Sequence, residues 1–175
     1  MKKDLQQNKT LKFCLTGLLF LVISFTNLTS LSAQDSEAKN ECRISLQPVS
    51  SKYQNLQERE AFFLIKVENK GSTEESVTLS VQNNNENCAN PDNSNSSGNI
   101  TLAWELLEPE ADKTLEKVSI LPGDNFTFRV KAVSSPDDRL RAWSCAELKA
   151  VPAGCPEKAA VLNLFTYNPH PSPEE

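Results

Sequence analysis

Histidine is almost missing from this chain: one, His170, stands among 175 residues, and it lies in the proline-rich stretch 168–175 (NPHPSPEE). That stretch reads as a disordered or polyproline-II tail. A base carried there has no frame to hold catalytic geometry, which argues against Ser–His and Cys–His catalysis. No G-x-S-x-G elbow, H-E-x-x-H helix, Walker loop or Gly-rich dinucleotide turn occurs. No two cysteines have C-x-x-C spacing, so zinc and haem ligation are weak readings, and no cofactor is expected. Long hydrophobic runs are lacking too. The longest uncharged apolar stretch, 13–25 (FCLTGLLFLVISF), is shorter than the roughly 20 residues needed to cross a hydrocarbon core.

That stretch has a different reading. Lys2, Lys3, Lys9 and Lys12 precede it, and small residues ending in Ser32-Ala33 follow it. Positive charge, apolar core and small cleavage site, in that order, predict a secretory signal peptide over 1–33. Cys14 does not fit a lipidation site, because Leu11-Lys12-Phe13 precedes it and it falls too early in the apolar run. The leader contributes +3 to the net charge of −5, so the remainder carries −8. An acidic chain without a basic cluster repels a phosphate backbone, and nucleic acid is not an expected partner. The remaining residues suffice for one domain with a real core. They include Cys42, Cys88, Cys145 and Cys155. An even count in an exported chain predicts two disulfides and a secreted or periplasmic location, with no membrane span once the leader is removed.

Alternation with period two dominates residues 42–167. Phe63, Ile65 and Val67 form one stripe; Val77, Leu79 and Val81 a second; Ile100, Leu102, Trp104 and Leu106 a third; Phe126, Phe128, Val130 and Ala132 a fourth. Further strands are expected over 43–49, 115–121, 143–151 and 159–167. The segment 139–151 has a helical rival, since Leu140, Trp143 and Leu148 roughly share a helix face, but its β-rich surroundings favour a strand. Leu121-Pro122-Gly123-Asp124 predicts a type II turn, and Asn69-Lys70-Gly71-Ser72 a turn through a glycine able to take positive φ. About seven or eight strands in an antiparallel sandwich follow. Residues 83–99 (NNNENCANPDNSNSSGN) are loop chemistry, long enough to be either functional or mobile.

The segment 62–79 with Val67, Asn69 and Gly71, and the later 118–130 with Leu121, Pro122, Gly123 and Asp124, resemble exported bacterial immunoglobulin-like sandwiches of the CARDB and fibronectin-type-III-like groups. The resemblance implies an all-β, immunoglobulin-like, disulfide-braced fold and no particular activity. Four cysteines allow three connectivities. The strand order of that fold favours Cys88–Cys145 at one end of the sandwich and Cys42–Cys155 at the other.

Function follows by weighing what is left. Carboxylate pairs such as Glu74 and Glu75, or Glu108 and Glu110, read as a solvated acidic surface before they read as a glycosidase pair. Asp92, Asn93 and Asn95 form an oxygen-rich loop that offers a contact or a calcium site, although EF-hand spacing fails at Ser97 and Ala103. Trp104 reads as core, whereas Phe62, Trp143, Tyr53 and Tyr167 are candidates for an exposed aromatic surface. Beyond the leader, the three N-glycan sequons at Asn95, Asn99 and Asn125 are discounted in a chain so rich in asparagine. The expectation is a non-catalytic adhesion, docking or scaffold module of the cell envelope. Its partner would be a surface protein or glycan, met through the 83–99 loop or through a strand edge. The alternative is a calcium-dependent carbohydrate-binding module.

Overall fold

Strand β3 (Glu60–Asn69) shows why the chain pleats: Ala61, Phe63, Ile65, Val67 and Asn69 are buried, while Phe62 and Leu64 face water. Strand β7 (Asn125–Val133) repeats the alternation with Phe128, Val130 and Ala132 inside. The two pair antiparallel, Phe63 opposite Val130 and Ile65 opposite Phe128, which sets branched and aromatic side chains against one another on one face. The structure, a computed structural model, describes residues 42–169. The leader, Cys14 and His170 lie outside them.

Two sheets stack. The first has the order β1 (Ile44–Pro48), β3, β7, β5 (Ala103–Leu107). The second has the order β2 (Tyr53–Asn55), β9 (Ala160–Asn168), β8 (Ala142–Pro152), β4 (Glu75–Asn83), β6 (Lys117–Ile120). The first matches the A-B-E-D sheet of the immunoglobulin fold, and β4, β8 and β9 match its C-F-G sheet. Phe63, Ile65, Val67, Phe128 and Val130 meet Val77, Leu79, Leu148 and Leu164 in one core. Trp104 is half-buried against that core, its ring 6.0 Å from Phe63. The 139–151 segment is strand from Ala142, and the helical rival is not realised.

The described residues form nine strands, and the addition to the expected set is β2. It has three residues, too few to show alternation, and pairs parallel with β9, Tyr53 beside Phe165. The edges are short or covered. Beyond β5 the chain folds back, with Leu115 donating to the Leu106 carbonyl and Glu108 to that of Lys113. Short, covered edges limit pairing with foreign strands.

At the end holding the β3–β4 turn, Gly123 has φ 78° and Asp124 N–H donates to Leu121 O, as a type II turn requires. Gly71 differs from expectation, because among the described glycines only Gly123 takes positive φ. Asn69 shapes that turn instead: its Oδ1 accepts Gly71 N–H at 2.9 Å, the local closure asparagine favours. The Cys42–Cys155 bridge lies at this end too.

Candidate functional site

The opposite end gathers the long loops. There β2, β4, β7 and β9 finish and β3, β5 and β8 begin, joined by residues 56–59, 84–102 and 134–141. All four non-glycine residues of positive φ among the described residues fall in these loops: Glu58 at 50°, Arg59 at 71°, Asn93 at 60° and Arg141 at 55°. Glu58 and Arg59 are the two central residues of a tight hairpin, closed by Gln57 N–H to Glu60 O and Glu60 N–H to Gln57 O. A two-residue turn with both φ values positive is of the primed kind, which ordinarily takes Asn-Gly. The Arg59 carbonyl is held by Ser134 N–H at 2.9 Å. An open cleft of about 840 Å³ lies between this hairpin and the 134–140 loop, with Leu140, 42% exposed, on its wall.

The asparagine-rich loop is tied down by its asparagines. An Asn amide carries one acceptor and two donors, like a free piece of backbone. Asn85 Oδ1 accepts Cys145 N–H while Asn85 Nδ2 donates to Ile100 O, splicing the loop onto the start of β8. Asn83 does the same for Leu102, donating to its carbonyl and accepting its N–H, and also accepts from the Trp104 indole. Asn90, nearly fully buried, forms a reciprocal amide pair with Asn99 at 2.8 and 2.9 Å. These bonds let Ile100 and Leu102 reach the core although neither lies in a strand. The Cys88–Cys145 bridge fastens the same loop to the outer face of β8, in a small cluster with Phe165 and Trp143.

The aromatics separate by face. Tyr53 stacks on Phe165 at 5.3 Å, Trp143 meets Tyr167 at 4.9 Å, and all four lie on the outer side of the five-stranded sheet. Phe165 completes this row and is not among the sequence candidates, because β2, the strand that brings Tyr53 beside it, left no signal. Phe62, 44% exposed, lies on the other outer face beside Lys131 and Arg129. The acidic candidates do not share a site: Glu74 accepts from Ser119, Glu75 is buried and accepts from Gly154 N–H, and Glu108 pairs with Lys113.

Asp92 sits where the loop meets Trp143. Its Oδ1 accepts Ser94 N–H at 3.0 Å and its Oδ2 accepts the Trp143 indole at 2.9 Å. Hydrogen bonds from Ser94 and then Trp143 lower its carboxyl from 3.8 to about 2, since they favour the ionised form. Asn95 Oδ1 accepts Ser97 N–H, and Asn93 supplies the left-handed turn between Asp92 and Ser94. No three His, Cys, Asp or Glu side chains group to hold a metal among the described residues. A depressed carboxyl contributes above its unfolded pKa and loses that contribution as pH falls through its folded value. The Trp143 indole resonance is therefore expected to titrate with a midpoint near pH 2. The Trp104 indole, which donates to the non-titrating Asn83, should stay still and serve as the control.

No family model and no curated protein matches the chain. Solved structures similar to it include a FixG-related protein from Vibrio parahaemolyticus, 11% identical over 72% of this chain and 94% of that one, TM-score 0.43. A family 123 glycoside hydrolase from Clostridium perfringens is 10% identical over 71% of this chain and 27% of that one, TM-score 0.48. The CupB2 chaperone of Pseudomonas aeruginosa is 13% identical over 69% and 54%, TM-score 0.44. The chain thus spans about a quarter of the hydrolase and about half of the chaperone. Likeness at this level says nothing of activity or partner.

Proposed function

We propose that the chain is an exported, non-catalytic binding module that docks a cell-envelope partner through the loop-bearing end of its sandwich. The observation carrying this reading is the concentration of left-handed non-glycine residues there. At Glu58, Arg59 and Arg141 this costs on the order of 1–3 kcal/mol each, less at Asn93, and persists only where surrounding contacts over-determine it; such residues cluster at active sites, ligand clamps and switch regions. Glycine would relieve that cost at Glu58 and Arg59; charged side chains stand there instead. The Cys88–Cys145 bridge and the asparagine splices hold the loops in one arrangement, which lowers the ordering cost of binding. Export itself rests on the leader and on the disulfides, which persist in oxidising compartments.

The test places a photoreactive residue at Leu140, at the loop end, and in separate variants at Leu121 (56% exposed), at the other end, and at Phe62. These are produced with the native leader in the source cell. A discrete adduct from Leu140, absent from Leu121 and Phe62, is the expected result. An adduct confined to Leu121 or Phe62, or none from Leu140, would sink the proposal.

A further inference from the structure

A second, smaller cavity at the loop end says what kind of partner fits. It measures about 170 Å³ and lies between the 84–102 loop and the start of β8. Pockets for drug-sized ligands begin at roughly 300 Å³, so this one admits a single ring-sized unit. Trp143 and Tyr167 supply aromatic wall, and Asp92, Asn95, Arg139 and Arg141 supply polar wall.

The polar groups are unequally committed. Both Asp92 oxygens accept from Ser94 and Trp143, and Arg139 donates to the Gly98 carbonyl. Arg141 is exposed, and its guanidinium makes no hydrogen bond or ion pair among the described residues. Its backbone, by contrast, is locked: φ is 55°, and its N–H donates to Asn168 O at 2.6 Å. Arg141, whose side chain is uncommitted, thus lines this cavity together with Arg139 and Asp92. Asp92 remains ionised at neutral pH with both oxygens taken by Ser94 and Trp143, and it forms no ion pair with Arg141 among the described residues.

We infer that this cavity is a subsite for one acidic sugar, a pyranose ring bearing a carboxylate, with Arg141 as the carboxylate's partner. The C–H face of a pyranose carries partial positive charge and packs on the negative face of an aromatic ring. Guanidinium and amide groups pair with its hydroxyls and carboxylate, the latter through charge-assisted bonds with fork geometry. Acidic groups of the domain more than about 8 Å away are screened at physiological salt, which leaves Asp92 as the carboxylate of the cavity lining, its oxygens occupied by Ser94 and Trp143. The inference rests on the loop-end docking reading and names the chemistry of the partner there.

The test uses the full oxidised chain, labelled with ¹⁵N, and follows its two indole N–H resonances. D-Glucuronate, methyl β-D-glucoside and acetate are titrated in turn. Glucuronate is expected to shift the Trp143 signal saturably with a Kd near ~1 mM, the scale for a ligand of this size. The neutral glucoside should bind about tenfold more weakly, the worth of one charge-assisted hydrogen bond. Acetate should leave Trp143 unmoved. Arg141→Gln should erase the preference for the acid while the Trp104 signal shows the fold intact. An unmoved Trp143, equal affinity for the neutral sugar, or an acetate effect equal to glucuronate's would each overturn the assignment. A Leu140 adduct together with an unmoved Trp143 would remove the sugar subsite alone and leave the docking reading standing.

Discussion

Reduction of both disulfides is expected to bring the domain to the edge of unfolding at ambient temperature. Cys88 and Cys145 are 57 residues apart and Cys42 and Cys155 are 113 apart. In the chain-entropy account these loops contribute about 4 and about 5 kcal/mol. The inner loop lies within the outer one, so once it is closed the outer bridge restrains only the residues outside it, and the pair contributes about 8 kcal/mol. Domain stability in total is about 5–15 kcal/mol.

Alanine pairs separate the two bridges. Either C88A/C145A or C42A/C155A should lower the Tm by roughly 15 °C. Only the first should disturb the Trp143 environment, because Cys88 and Cys145 pack with Phe165 and Trp143, whereas Cys42–Cys155 joins the other end. Before reduction, the protein should take up no alkylating reagent at Cys42, Cys88, Cys145 or Cys155. A Tm within ~3 °C of the parent in both paired variants would show that the bridges do not brace the fold.

The second large effect is expected at Asn69, which is fully buried. Its amide donates to Thr73 O at 2.7 Å and Ile120 O at 2.9 Å, and its oxygen accepts Gly71 N–H. Its backbone pairs with the Gly123–Asp124 turn in both directions. One side chain therefore ties the end of β3 in one sheet to the end of β6 in the other. Asn69→Ala removes the partner of the buried Ile120 carbonyl, at about 1–3 kcal/mol, and of the half-buried Thr73 carbonyl and Gly71 N–H, which water can partly satisfy, and should cost about 2–3 kcal/mol. Asn69→Asp turns a carboxylate toward two carbonyl oxygens. It should be no milder at pH 7 and should recover part of the loss below pH 4, where a protonated acid can donate to one of them. Urea unfolding at the two pH values checks this. A loss under ~1 kcal/mol in both variants would mean that the sheets do not depend on this tie.

Both effects bear on how much of the molecule was legible in advance. The stripes through Phe63, Val77 and Phe128 needed only alternation, because a strand that buries one face must place apolar groups two apart. The Leu121–Asp124 turn needed only Pro and Gly in order. Asn69 was visible as part of a turn but not as a buried tie, since its partner Ile120 is 51 residues away. Residues 83–99 carried the signature of a solvated loop because asparagine is polar. Amide pairing such as Asn90 with Asn99, which makes the segment rigid, leaves no period to read.

The sequence by itself determined the all-β class, the apolar stripes that build the core and the even set of cysteines beyond residue 41. Those follow from period, composition and order, which are local properties of the chain. Tertiary structure alone decided that Tyr53, Phe165, Tyr167 and Trp143 share one outer face while Phe62 takes the other. It alone brought Arg141 and Asp92 to the lining of one cavity and collected the left-handed non-glycine residues among the described residues at one end. Alternation says that a side chain leaves one face of its own sheet. It does not say which strand lies beside it or which loop folds across it, because those neighbours come from pairings between residues far apart in the chain.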